Sequence, residues 1–166
     1  MKLIHHSREP FEFDPEHVYG HHDIARAVGK PRGLWLSDED TDWGWRAWCE
    51  SEEFNLGGLA YETEFTLAPD ANVLVLSTLL DLVAFTGEYG APLMPDAPTS
   101  ISKVIDWNRV AAAYDGIIIT PYVGEARWNF DLFWYYGWDV ASGCIWNLKA
   151  LVPGATALTD VRIEAP

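Results

Sequence analysis

Cysteine is scarce in this chain: two residues, Cys49 and Cys144, among 166. Far apart in sequence and preceded by no secretory segment, they read as buried or free thiols rather than a disulfide framework. Basic residues are few, 11 Lys and Arg against 25 Asp and Glu, for a formal net charge of −14. Nucleic-acid affinity rests on Lys and Arg displacing counterions, and the chain has no Lys/Arg run. Strong non-specific nucleic-acid binding is therefore not expected, although one local basic groove would still allow chemistry on nucleic acid. The longest apolar stretch, 72–85, is broken by Ser77, Thr78 and Asp81, so nothing is long enough to span a bilayer. The N-terminus turns polar at His5-His6-Ser7, unlike a signal peptide. The expectation is a soluble protein in the cytoplasm of a bacterium or a phage-infected cell. An acidic surface would also suit a basic protein partner or an antitoxin.

Motifs are missing too. HExxH, CxxC and EF-hand spacings are absent, so no metal site is expected. His5-His6 and His21-His22 could each send one imidazole to a shared side with Asp23, but surface or structural roles suit the His21/His22 pair better. There is no Gly-x-Ser-x-Gly elbow, GxGxxG or GxxxxGK[ST] run. Cys144, within Ser142-Gly143-Cys144, remains a candidate nucleophile for a hydrolase if a His meets it in space.

What is present is apolar and aromatic. Nine Trp residues and a hydrophobic fraction of 49% supply ample surface to bury. The length fits one domain over 1–166. Patterning predicts strands at Lys2–His6, Leu34–Ser37, Leu59–Leu67 and Asn72–Ser77, then at Ile117–Thr120, Cys144–Val152 and Ala155–Ile163. Helices are predicted at His21–Val28, Trp43–Glu53, Thr78–Tyr89 and Ser102–Tyr114, with loops at Ala91–Ser100 and Pro121–Asp131. Without regular βαβ alternation, the class is α+β. The rings of Trp134–Trp138 read as a packing slab, with a lid over a ligand as the alternative. Asp38–Asp40 and Glu50–Glu53 read as solvated faces. Asp115 and Asp139 stand alone among apolar neighbours, where desolvation would perturb a carboxylate. Asp115 reads as a turn residue ahead of Gly116, and Asp139 is a candidate acid.

Two stretches carry a resemblance. Leu3-Ile4-His5-His6-Ser7, and Gly33-Leu34-Trp35-Leu36-Ser37-Asp38 ahead of a helix, resemble the first two strands of the ADP-ribosyltransferase fold. The type concerned is the histidine–tyrosine–glutamate one, which includes diphtheria-like toxins and poly-ADP-ribose polymerases. The resemblance implies split antiparallel or mixed sheets with short flanking helices, and NAD as substrate. It implies that Trp35, standing where the family has Tyr, stacks on nicotinamide. By the same resemblance the His6 main chain holds the carboxamide, His5 bonds a ribose hydroxyl, and Ser7, Gly33 and Ser37 complete the two binding strands. His6 departs from the family's glycine. Ser142 falls where the family places its catalytic Glu, and Asp139 is the nearest carboxylate. The implied activity is a toxin-like mono-ADP-ribosyltransferase acting on a macromolecular acceptor. The alternatives are a weakly active or inactive binding or inhibitor protein on the same fold, and the Cys144 hydrolase.

Overall fold

Short runs of β-branched and aromatic residues bounded by Gly, Pro and Asp set the strands. The computed structural model describes residues 1–20, 29–92 and 103–159. Along the chain these are β1 (Leu3–Ser7), β2 (Leu34–Asp38), α1 (Trp45–Ser51), β3 (Tyr61–Leu67), β4 (Val73–Leu76), α2 (Leu79–Tyr89), β5 (Gly90–Pro92), β6 (Lys103–Ile105), α3 (Trp107–Ala113), β7 (Gly116–Ile119), β8 (Ser142–Ile145) and β9 (Leu151–Leu158). The class is α+β. Seven strands form a mixed sheet in the order β4-β7-β8-β2-β1-β3-β9, and β5 and β6 form a separate two-stranded ribbon.

All ladders of the large sheet are antiparallel except β4 with β7. That parallel pair requires a crossover, which α2, the ribbon and α3 supply, so one βαβ-like unit sits inside an otherwise antiparallel fold. Alternation along the strands divides the core. Ile117, Ile119 and Cys144 face one cluster with Leu82, Phe85, Trp107 and Trp134. Ile118, Ile145, Leu34 and Leu36 face the other, with Leu3, Phe65 and Leu151.

Several boundaries differ from the sequence reading. The predicted helix Ser102–Tyr114 is strand β6 followed by α3, because Asp106 accepts the Arg109 amide and caps a new helix there. The predicted strand Cys144–Val152 is instead β8, a 3-10 turn at Leu148–Ala150 and the start of β9. Asn147 starts that turn by accepting the Lys149 amide. The aromatic segment Phe130–Gly137 winds as two 3-10 turns on either side of a kink at Leu132. The predicted helix at 21–28, with His21, His22 and Asp23, lies outside the described residues, as do 93–102 and 160–166. Among the described residues no helix is long and apolar enough to cross a membrane.

Asp115 is a clasp. Its carboxylate accepts the Asn72 amide at 2.9 Å and the Asn147 side chain at 2.7 Å, tying the approaches to β4 and β7 to the exit from β8. The turn reading of this residue agrees with that geometry.

Candidate functional site

The cleft originates in a split between two neighbouring strands. β1 pairs with β2 only at Leu3↔Asp38 and Ile4↔Ser37. Beyond that point β1 stays with β3 through His5, His6 and Ser7, while β2 stays with β8 through Leu34 and Trp35. Asp38 locks the closed end: its carboxylate accepts the Lys2 amide at 3.1 Å and the Thr120 hydroxyl at 2.7 Å. The strands diverge from there, and a cavity of about 190 Å³ occupies the divergence.

Its walls come from five parts of the chain: Ile4, His5 and His6 on β1; Lys30 ahead of β2; Trp35, Leu36 and Ser37 on β2; Trp45 at the start of α1; and Asp139, Val140 and Ser142 leading into β8. Six residues singled out from the sequence, His5, His6, Trp35, Ser37, Asp139 and Ser142, thus meet at one cavity. Ser7 and Gly33 do not line it. The Ser7 hydroxyl is exposed and donates to the Glu9 carbonyl. Gly33 lies against β8, where an added Cβ would come within 2.5 Å of the Ile145 carbonyl oxygen.

His5 spans the split. Its Nδ1 lies 2.9 Å from the Trp35 carbonyl oxygen, and a carbonyl only accepts. The shared proton therefore sits on Nδ1, which leaves Nε2 as an acceptor. The ring rests against Phe11 with centroids 4.6 Å apart. Burial lowers the His5 pKa despite the supporting carbonyl, and the neighbouring His6 adds to the lowering.

His6 is set between two carboxylates, with its side chain 3% exposed. Nε2 is 3.1 Å from Glu39 Oε1. Among the described residues Nδ1 has no hydrogen-bond partner, and Glu62 Oε1 lies 3.6 Å from it. Burial pushes the Glu39 pKa up, but hydrogen bonds from His6 and Ser37 outweigh it and the net shift is downward. Ser37 also accepts the Trp45 amide at 2.8 Å, which anchors the start of α1 to β2, since Gly44 offers no side-chain cap.

The indole of Trp35 is half-buried and already has neighbours. Trp138 meets it edge-on with centroids 4.9 Å apart, and Lys30 Nζ lies 5.0 Å from its centroid. An incoming flat ring would share or displace that ammonium. Burial lowers the Lys30 pKa, and Asp139 partly offsets it. Asp139 is no lone acid: Arg127 reaches it at 3.1 Å and Lys30 at 3.9 Å. Lys30 on the cleft wall and Arg127 behind it both pair with this one carboxylate.

Cys144 does not line the cleft. Its thiol is buried beside the Pro31 carbonyl, and burial raises its pKa well above the ordinary value. A sealed, protonated thiol is not a nucleophile, so the hydrolase reading loses its nucleophile. The aromatic segment divides between two roles. Trp134, Tyr135 and Trp138 are core, whereas Phe133 and Tyr136 are exposed. Among the described residues no His/Cys/Asp/Glu group is placed to hold a metal.

The chain matches no family model, no curated protein and no solved structure.

Sequence reasoning misses Lys30, Trp45 and Arg127. Lys30 is hidden in a Lys-Pro-Arg-Gly turn, and Trp45 looks like one more aromatic at helical spacing. Nothing local connects Arg127 to Asp139. Each acquires its place through contacts distant in the chain.

Proposed function

We propose that this cleft takes the nicotinamide end of NAD and that the protein is an ADP-ribosyltransferase-like enzyme breaking the bond between the nicotinamide nitrogen and the ribose. The observation that carries this reading is the meeting of His5, Trp35 and Asp139, from three separate segments, at one cavity on the β1/β2 split. A volume of about 190 Å³ is below the ~300–1,000 Å³ of drug-sized sites. It suits one flat ring, with the rest of the dinucleotide lying across the mouth.

His5 Nε2, free to accept, suits a ribose hydroxyl. The indoles of Trp35 and Trp45 suit a flat ring, and main-chain groups on the diverging strands suit a carboxamide. Lys30 and Arg127 suit the diphosphate. As the glycosidic bond breaks, its electron pair leaves with nicotinamide as a neutral ring. The acceptor's nucleophile, or water when no acceptor is present, forms the new bond at the ribose C1′ and gives up its proton. The positive charge that develops at C1′ would be stabilised by a nearby carboxylate. Asp139 is that carboxylate.

A second reading is favoured by the pairing of Asp139 with Arg127 and Lys30. A carboxylate already matched by two cations stabilises an oxocarbenium-like sugar poorly, so the same cleft would bind NAD and turn it over slowly or not at all. Ser142 at the other candidate position carries no charge.

One experiment separates the two. The purified chain is incubated with NAD, nicotinamide release is followed by chromatography, and NAD binding is followed by tryptophan fluorescence. The enzyme reading expects release that falls at least about tenfold in His5→Ala and Asp139→Asn, as loss of a transition-state contact does. Binding without release supports the second reading. Neither binding nor release removes both.

A further inference from the structure

On α1 and the loop after it, rings gather that neither core cluster absorbs. Trp45 and Trp48 stack with centroids 5.0 Å apart and planes 15° from parallel. Phe54 meets them edge-on at 6.2 and 5.5 Å, and it is 51% exposed. Its neighbours Glu53 and Asn55 are both left-handed, with φ of 51° and 48°. That conformation is uncommon for residues other than glycine, and here it brackets an outward-facing ring.

The chain on either side of these rings is acidic. Asp42, Glu50, Glu52 and Glu53 are exposed. The only cation within 38–53 is Arg46, and its guanidinium is engaged by Glu62 and Glu50. Among the described residues no cation pairs with Asp42, Glu52 or Glu53, on a chain that carries −14 overall.

We infer that the α1 face docks a cationic protein segment, one bearing arginine in particular. A guanidinium stacks on indole and phenyl faces while its N–H groups reach carboxylates, so one side chain satisfies both halves of this surface. Nucleic acid and anionic lipid would meet repulsion from the same carboxylates. A purely apolar partner would desolvate them without return. Trp45 belongs both to this platform and to the cleft wall, so a docked segment lies at the cleft mouth. Docking draws on this surface alone and does not depend on the dinucleotide reading.

The test is a titration of the full chain, without NAD, into a fluorescein-labelled arginine–glycine repeat peptide followed by anisotropy. A lysine–glycine repeat, a glutamate–glycine repeat and oligo-dT serve as comparisons. The arginine peptide is expected to bind tightest, the lysine peptide more weakly, and the glutamate peptide and oligo-dT not measurably. Asp42→Asn combined with Glu52→Gln and Glu53→Gln is expected to weaken the arginine peptide about tenfold, the scale of several partly screened charge contacts. Phe54→Ala is expected to weaken it as well. Should the Phe54 variant not fold, the charge variant, which alters only exposed carboxylates, decides the outcome. Equal binding of arginine and glutamate peptides, binding untouched by the triple neutralisation, or preference for oligo-dT would overturn the inference. Because no NAD is present, failure of nicotinamide release leaves this result unaffected.

Discussion

A buried imidazole that bonds a carbonyl has committed one nitrogen and left the other as an acceptor. His5 is in that state against the Trp35 carbonyl, and burial holds its pKa below the ordinary 6.5. The sign of the consequence is fixed by linkage. With the folded pKa lowered, the unfolded chain binds a proton first as pH falls below 6.5, and stability declines from there until the folded pKa is passed. Glu39 acts in a separate window. Its folded pKa is depressed below 4.5, so the stability it contributes is complete above 4.5 and is lost only as pH falls through the folded value. Urea midpoints measured from neutral to mildly acidic pH should therefore fall for the wild type and fall less for His5→Gln, which cannot protonate. Parallel slopes would mean that folding leaves the His5 pKa where it is in the unfolded chain. An acid-side loss that persists in His5→Gln belongs to Glu39 and its like.

At the scale of elements, packing distance decides what the sequence could reveal. β7 and β8 lie close because Gly143 presents no side chain: a Cβ there would meet Ile118 Cγ1 at 2.6 Å and the Ile117 carbonyl oxygen at 2.9 Å. Backbone cannot yield as a flexible side chain can. Gly143→Ala is expected to lower stability by about 1–3 kcal/mol, the usual cost of overpacking a filled site. The cleft should loosen with it, since Ser142 heads the same strand. Denaturant unfolding checks the first effect, and a wild-type midpoint would show that the strands have room.

Period-2 alternation and the turn residues around it make β1, β2 and β3 legible, and α2 is legible from its apolar spacing. Its capping box, in which Thr78 and Asp81 exchange bonds, agrees with that start. The register of β3 is equally plain, with Thr63 and Phe65 inward. The break at Asp106 is not legible, because Val104, Ile105, Val110 and Ala111 fit helical periodicity as well as they fit a strand followed by a helix. Pattern alone runs β8 on to Val152 because Leu148–Val152 is apolar, and the Asn147 side chain that interrupts it gives no hydrophobic signal. The site divides in the same way. Residues on the short strands can be placed on a face from their position alone. Lys30 over Trp35, and Arg127 on Asp139, are tertiary encounters with no trace in local pattern.

For the molecule as a whole, charge acts against the fold and in favour of association. A net charge of −14 on 166 residues makes the folded state repel itself. Salt shortens the reach of that repulsion, from a Debye length of about 30 Å at 0.01 M to about 8 Å at 0.15 M. Added sodium chloride should therefore raise the Tm. The acidic chain on either side of the α1 rings predicts the reverse for docking, because the attraction of an arginine peptide to Asp42, Glu52 and Glu53 is screened by the same ions. One titration, read by thermal unfolding and by peptide anisotropy, should move the two in opposite directions. Affinity that holds or grows with salt would show that the carboxylates of Asp42, Glu52 and Glu53 take no part in holding the peptide, which overturns the docking inference. A Tm that falls with salt would place the excess negative charge in pairs that support the fold, such as Glu62 with Arg46, rather than in mutual repulsion.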